Sequence, residues 1–374
     1  MHTPTRSEGL VPSPDPTWRE QGDPVADGAM ASLWAEGPGQ LRRGDPLALV
    51  ESAATHSEPC RAFVEAVTRT PSWSDPELLE EGRQVSLSLA VPIGVVLLLG
   101  GLPEVYAVPG IARVLAANGR MEYSTWRRML ETGRFVRDVH VQDGLRDGRD
   151  GRRAVARVRL IHALVRRRAG PVTGARQSAP INQAEMAFTL AAHSHLVRRG
   201  LASLGFALSP REARAHQHLW RHVGHLIGVD ERLLAIDPAA EQALYDRLAP
   251  QLVDGGADSR RLVSRSIETL AAQAHVPAAL VRTIVRRLVG GRVGDVLGVS
   301  APGPWRLAVR TLVGVGRGVN ALRRVTPAVT HRFAALGQRF ADAVVKADPC
   351  PEPVGVAAAR DCARAERSVG GRPS

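Results

Sequence analysis

The chain has 374 residues, of which 44% are hydrophobic and 23% charged, so it can bury a large core without disulfides or a structural metal. Only three residues are cysteines, which excludes a disulfide-rich secreted scaffold and favours a reducing, cytoplasmic compartment. The net charge of +12 would suit a nucleic-acid or membrane-surface protein, but the arginines are spread along the whole chain and aromatic residues are only 4%.

The two ends of the chain differ in composition from the middle. Residues 1–45 are rich in Pro, Gly, Asp and Ser and lack an apolar period, which predicts a disordered arm. No basic stretch followed by an apolar run occurs there, so we expect no secretory signal. Residues 348–374 begin with prolines and continue polar and arginine-rich, which predicts a disordered tail. We therefore expect one helical domain over residues 46–347.

One segment has the composition of a membrane span. Residues 85–102 are uncharged over 18 positions, close to the minimum for crossing a bilayer. Pro92, Gly94, Gly100 and Gly101 interrupt the segment more than a single-span anchor usually tolerates. We expect buried core here, with a membrane span as the alternative.

The middle of the chain is predominantly helical by pattern, because apolar residues recur at intervals of three and four. Asn182 and Ser209 are each followed three residues later by glutamate, as in a helical capping box. Strand-like alternation is nearly absent, so the predicted fold class is all-α, a single large helical bundle. The predicted helices cover 110–117, 123–136, 152–168, 183–204, 210–227, 238–252, 259–273, 277–289 and basic helices within 305–345.

Histidines are concentrated in one part of this helical region. Seven of the twelve lie between positions 162 and 225, and histidine is the commonest metal and haem ligand. His218, His222 and His225 fall at i, i+4 and i+7 on one helix face, so a His-ligated non-haem metal enzyme is one hypothesis. His193 and His195 are two residues apart and, on one helix, cannot both ligate the same metal.

Other classes of function are less well supported. The motifs of P-loop, zinc-protease, thiol-redox and serine-hydrolase sites do not occur, which leaves redox chemistry on a histidine-bound centre or no chemistry. Residues 270–288 suggest a helix–turn–helix, so a basic helical nucleic-acid-binding protein is an alternative; we interpret them as structural helices. The basic amphipathic stretch 306–345 is more often a solvated face than a lipid-binding one. If it contacts the inner face of a membrane, a lipid-soluble substrate would enter from that side.

Five short motifs follow one another between about residues 60 and 320. They are Thr70-Pro-Ser-Trp73-Ser-Asp75, Arg157-Val-Arg159-Leu-Ile-His162-Ala163, Pro180-Ile-Asn-Gln183-Ala-Glu185, Leu219-Trp220-Arg-His-Val-Gly224-His225 and Gly290-Gly-Arg-Val-Gly294-Asp295. Together they resemble the rubber oxygenases, or latex-clearing proteins, a family that includes the ER-bound oxygenase of mycophenolic acid biosynthesis. The resemblance implies an all-helical, globin-like domain that holds a b-type haem (iron) between helices. It also implies a hydrophobic small-molecule substrate and O2 as partners, with oxidative cleavage of isoprenoid double bonds as the activity.

The resemblance also implies roles for individual residues. Arg159 falls on the family's active-site arginine, near bound O2 or a haem propionate, and His162 occupies the position three residues later. Asp143 falls at the position of an acidic residue proposed as a base. The family's axial histidine lies in a T-W-H-S stretch that reads Thr189-Leu-Ala-Ala-His193-Ser-His195 here. The iron ligand is therefore open between His193 and His195, with His225 as an outside candidate.

Overall fold

The computed structural model describes residues 15–42, 44–117, 125–169, 179–301 and 303–346. Within these ranges the regular secondary structure is helical and contains no strand, which confirms the predicted all-α class. The helices are α1 Pro24–Glu36, α2 Pro46–Ala53, α3 Glu58–Thr68, α4 Pro76–Ser88, α5 Ala90–Val96, α6 Leu102–Tyr106, α7 Pro109–Ala117, α8 Thr125–Val139, α9 Asp150–Ala169, α10 Gln183–His193, α11 His195–Ser203, α12 Pro210–Leu226, α13 Pro238–Leu252, α14 Ala257–Ala274, α15 Ala278–Val296, α16 Gly303–Arg323 and α17 Pro327–Lys346.

The prediction of a disordered arm over residues 1–45 is wrong for α1. Asp23 caps this helix by accepting a hydrogen bond from the Ala26 backbone N–H, and Pro24 occupies its first position. Its buried stripe is Ala26, Ala29, Met30 and Leu33, packed on α3 and α9. Alanine gives this stripe little hydrophobic contrast, which is why the sequence pattern was missed. Residues 1–14 and the predicted tail 348–374 lie outside the described residues.

The uncharged segment 85–102 is folded into the core as several short helical pieces. A π-helical turn over Leu97–Gly101 joins α5 to α6. An ideal Cβ on Gly100 would lie 3.1 Å from the Leu288 Cβ, and one on Gly101 would lie 3.1 Å from the Ala192 carbonyl oxygen. Glycine is therefore needed for this close packing on α10 and α15. No single described helix is long and apolar enough to span a bilayer, although α4 together with 90–106 passes that test as a pair bent by 81°.

The predicted helix 183–204 is two helices, because the backbone leaves helical geometry at Ser194 (φ −112°, ψ −79°). The Ser194 hydroxyl donates to the Glu241 carboxylate at 2.9 Å and accepts from Arg198 at 2.8 Å. This buried polar contact with α13 stabilises the break. Its consequence is that His193 ends α10 while His195 begins α11, so the two rings enter different surroundings.

Candidate active site around His193

The His193 imidazole has the hydrogen bonding expected of a metal ligand. Its Nδ1 lies 3.0 Å from the Thr189 carbonyl oxygen, one helical turn earlier. A carbonyl can only accept, so the proton is on Nδ1 and the lone pair is on Nε2. Within the described part of the chain, Nε2 has no hydrogen-bond partner. The ring therefore presents a free, oriented nitrogen donor.

The surroundings of His193 are aromatic and apolar. Its ring centroid lies 4.8 Å from that of Trp220, and Phe135 approaches edge-on at 6.5 Å. Trp220 belongs to a buried cluster from α8, α9, α12 and the loop between α8 and α9 that comprises Val139, Leu145, Val155, Leu219, Trp220, Val223 and Leu226. Burial lowers the pKa of His193, so the imidazole is neutral at physiological pH. A neutral imidazole beside aromatic side chains can serve haem iron as an axial ligand.

Two further buried histidines lie beside His193. His140 donates from Nδ1 to the Val136 carbonyl oxygen at 2.6 Å, and its buried Nε2 has no partner among the described residues. His216 is 1% exposed. Burial lowers the pKa of His140 to about 4, opposed by the hydrogen bond to Val136 and helped by the charge of Arg83. Burial likewise lowers the pKa of His216, and Arg198, His140 and His193 add to the effect.

His140 is the residue that sequence analysis missed. It follows a helix predicted to end at Val136, and no motif marks it. The three imidazoles do not converge on one point, since the described ranges contain no group of three or more His, Cys, Asp or Glu placed to hold a metal ion. The arrangement fits a cofactor held by one imidazole better than a multi-ligand ion centre.

The histidine face of α12 has a structural role. His218, His222 and His225 do share one face, and all three rings meet the edge of Trp73 at 5.8, 6.3 and 6.1 Å. The Arg221 guanidinium lies over the same indole at 3.8 Å. Trp73 comes from the Pro-Ser-Trp-Ser-Asp loop before α4, so this face fastens that loop to α12.

The structure does not support the hypothesis of a non-haem metal on the α12 face, because no three His, Cys, Asp or Glu side chains in the described ranges are placed to hold an ion. Each of the three rings also uses one nitrogen for a neighbouring group. Those groups are the Asp75 backbone N–H for His218 (2.9 Å), the Ser74 hydroxyl for His222 (2.9 Å) and the Glu231 carboxylate for His225. The structure places His225 against Trp73 and Glu231.

Arg159, His162 and Arg166 lie on one face of α9, directed at the start of α1. Arg159 binds both carboxylate oxygens of Asp23, at 2.6 and 3.0 Å, and donates to the Leu226 carbonyl oxygen at 3.2 Å. Arg166 binds Asp27 at 2.8 Å. The Arg159 and Asp23 side chains are only 7% and 3% exposed. Every nitrogen group of the Arg159 guanidinium is thus engaged in holding α1 and the end of α12 together.

The other residues predicted for the site lie elsewhere. Asp143 lies in the loop before α9, where its φ is 57°. Its carboxylate forms an ion pair with Arg146 at 2.9 Å and not with Arg159. His195 packs on Tyr245 at 4.9 Å, and burial, helped by the charges of Arg198 and Arg199, lowers its pKa to about 3. It therefore faces α13 rather than the Trp220 cluster.

Two of the cavities among the described side chains are lined by neither His193 nor Arg159. A shallow one of about 440 Å³ lies between α4 and Arg211. The other, of about 250 Å³, is lined by Glu104, Arg199 and Tyr245 together with apolar residues of α13 and α15. The segments 118–124 and 170–178, which connect the helices bearing Phe135, Arg159 and His193, lie outside the described residues.

His162 gives the site a predicted pH dependence. Its Nδ1 is enclosed without a partner among the described atoms, and burial, helped by Arg166 and opposed by Asp23, lowers its pKa to about 4. Between pH 6.5 and 4 the unfolded chain binds a proton that the folded chain does not, so stability falls as the pH falls. We expect this one residue to cost about 2–3 kcal/mol across that window.

The measurement is the free energy of unfolding by urea at pH 7 and pH 4.5. His162→Gln, which cannot titrate, should lose less stability than the parent on acidification. His56→Gln is the matched control, because His56 is exposed at 62%. Equal acid sensitivity in the parent chain and His162→Gln would contradict the prediction.

Comparison with known proteins gives three matches. The family model described as "ER-bound oxygenase mpaB/B'/Rubber oxygenase, catalytic domain" matches residues 86–326, which include His140, His193 and Trp220. The rubber oxygenase of Streptomyces sp. (strain K30) is 27% identical over 313 residues, covering 78% of this chain and 73% of that relative. The structure of latex clearing protein LCP in the closed state is similar, with a TM-score of 0.66 at 22% identity over 88% of this chain and 91% of that one. That structural match shows a shared fold.

Proposed function

This chain belongs to the ER-bound oxygenase mpaB/B'/rubber oxygenase family and carries its oxygenase catalytic domain, and we propose that it works with a b-type haem held by His193. The proposed reaction is O2-dependent oxidation or cleavage of an isoprenoid or lipid-like substrate. The observation that carries the proposal is the free Nε2 of His193, whose Nδ1 is fixed by the Thr189 carbonyl beside Trp220.

The residues around His193 fit a haem. The Thr189 carbonyl fixes the tautomer and the ring orientation, a role that second-layer groups commonly have at metal ligands. Trp220 and Phe135 provide flat aromatic surface beside the ring. His195 is a poorer candidate for the ligand because its ring packs on Tyr245, on the far side of the break at Ser194.

Haem bound at this position would supply the binding and activation of O2. The chain's own contribution is to place a hydrogen-bond acceptor beside the site. His140 is neutral at physiological pH and its buried Nε2 has no partner among the described residues, so it can accept a hydrogen bond from a group bound near Trp220. We propose that Arg159 is a positioning residue, because its guanidinium holds α1 and the end of α12.

The experiment is an absorption spectrum of the purified chain, followed by O2 uptake with squalene and squalane. We expect a Soret band, b-type haem by pyridine extraction at about one per chain, and O2 uptake with squalene only, because squalane lacks double bonds. Haem without O2 uptake on squalene would contradict the substrate class alone. A colourless protein with no extractable haem would contradict the proposed cofactor.

A further inference from the structure

The helix α16 is fixed to the body of the protein by one narrow face. Its buried residues are Val309, Val313, Gly316, Asn320 and Arg323, spaced alternately by four and three residues. An ideal Cβ on Gly316 would lie 2.3 Å from the Leu204 carbonyl oxygen, so the helix lies directly against the end of α11. Arg323 is 1% exposed and binds Glu212 at 2.6 Å. The orientation of α16 is therefore set by these contacts.

Beside this buried face, α16 exposes a row of large apolar side chains. They are Leu307, Leu312, Val315, Val319 and Leu322, with exposed fractions of 70, 51, 59, 36 and 55%. At 1.5 Å per residue the row is about 22 Å long. Leu336 and Phe340 of α17 are also exposed, at 59% and 43%. Single exposed hydrophobic residues need no explanation, but a periodic row on a fixed helix indicates an interaction surface.

The charged residues of this part of the chain are all basic. Residues 303–341 contain seven arginines and no aspartate or glutamate. Arg323 and Arg324 are not available to a partner, because both bind Glu212. On α17, exposed Arg332 and Arg339 lie one turn before and one turn after Leu336, and neither has an ion-pair partner within the described ranges. Cationic groups therefore flank the apolar residues of α17.

We propose that the exposed row of α16, with Leu336 and Phe340 of α17, docks on the surface of an anionic lipid bilayer. A bilayer of this kind buries apolar side chains and pairs arginines with headgroup phosphates at the same time. The proposal goes beyond the oxygenase function, since docking requires no haem.

Two other coverings of this row fit the observations less well. A second copy of the chain would bring a second set of exposed arginines to this region, and each chain carries a net charge of +12. Residues 347–374 contain three valines and no Leu, Ile, Met or aromatic residue with which to cover a row of leucines and valines. An anionic bilayer meets both the apolar and the basic requirement.

The test is co-sedimentation of the full chain with vesicles of phosphatidylcholine alone or with about one third phosphatidylglycerol. We expect the parent chain to bind the anionic vesicles. The double variant Leu312→Gln and Leu322→Gln should lower the partition coefficient at least tenfold. The double variant Arg332→Gln and Arg339→Gln should show a smaller difference between anionic and neutral vesicles. Ile161→Gln and Ile236→Gln are matched controls, because each residue is 47% exposed and lies outside α16, α17 and the helix α5 that packs on α17.

Circular dichroism and melting temperature should be unchanged in all of these variants, because the substituted side chains are exposed. Absence of vesicle binding by the parent chain would overturn the proposal, and so would binding that Leu312→Gln with Leu322→Gln leaves unchanged. A parent chain that is dimeric in size-exclusion chromatography, and monomeric in that double variant, would overturn it in favour of a second copy.

Discussion

His193→Gly is expected to lose the Soret band completely and to lose O2 uptake with it. His193 has the only ring at the break between α10 and α11 that combines a fixed Nδ1 with a free Nε2 in the Trp220 cluster. Removing the ring removes the proposed bond to iron and leaves the rest of the helical packing in place. The measurement is the absorption spectrum and the haem content per chain, with circular dichroism as the check on folding.

The controls for this substitution come from the other candidate ligands. His195→Gln and His225→Gln should keep the band, because these rings pack on Tyr245 and on Trp73 with Glu231. Imidazole added to the solution should restore the band in His193→Gly, since the vacated space accepts the free ring, and a merely unfolded variant would not respond. A band that survives in His193→Gly and disappears in His195→Gln would place the iron on the α13 side of Ser194.

The choice between His193 and His195 shows where sequence reasoning stops at this site. The spacing of two residues correctly separates the two rings, but it cannot say which one enters the aromatic cluster. That depends on Ser194, whose hydroxyl binds Glu241 of α13, 47 residues away in the chain. The helix break is a tertiary effect, and local periodicity predicts an uninterrupted helix over 183–204.

The helices with strong periodicity or a capping motif were predictable from sequence alone. Both hydrogen bonds of the capping box are present: the Ser209 side chain accepts from the Glu212 backbone N–H, and the Glu212 side chain accepts from the Ser209 backbone N–H. The helix α12 begins at Pro210 as predicted. The helix α1 was not predictable in the same way, because alanines form half of its buried stripe. Because α1 was not predicted, Asp23 was not identified as the ion-pair partner that orients Arg159.

Asp23→Asn is expected to destabilise the folded chain by about 3–5 kcal/mol, the typical cost of removing one partner from a buried ion pair. Asparagine keeps the shape and the helix-capping oxygen of residue 23, so the lost charge is the main change. Arg159 would then be left charged and 7% exposed, with one carbonyl partner at Leu226. Gly228 packs directly against this ion pair, since an ideal Cβ at residue 228 would lie 2.3 Å from an Asp23 carboxylate oxygen.

Chemical denaturation measures this loss, and Glu51→Gln is the matched control, because its partner Arg153 lies on α9 as Arg159 does. Glu51 binds Arg153 at 2.6 Å, but these side chains are 38% and 32% exposed, so we expect a change below about 1 kcal/mol.

The double variant Asp23→Leu with Arg159→Met should recover much of the stability, because it leaves no uncompensated charge. If Arg159 instead serves mainly at the reacting centre, Asp23→Asn would leave unfolding nearly unchanged and alter the haem spectrum. A large loss of stability with an unaltered spectrum would make Arg159 the residue that fastens α1 to the oxygenase core.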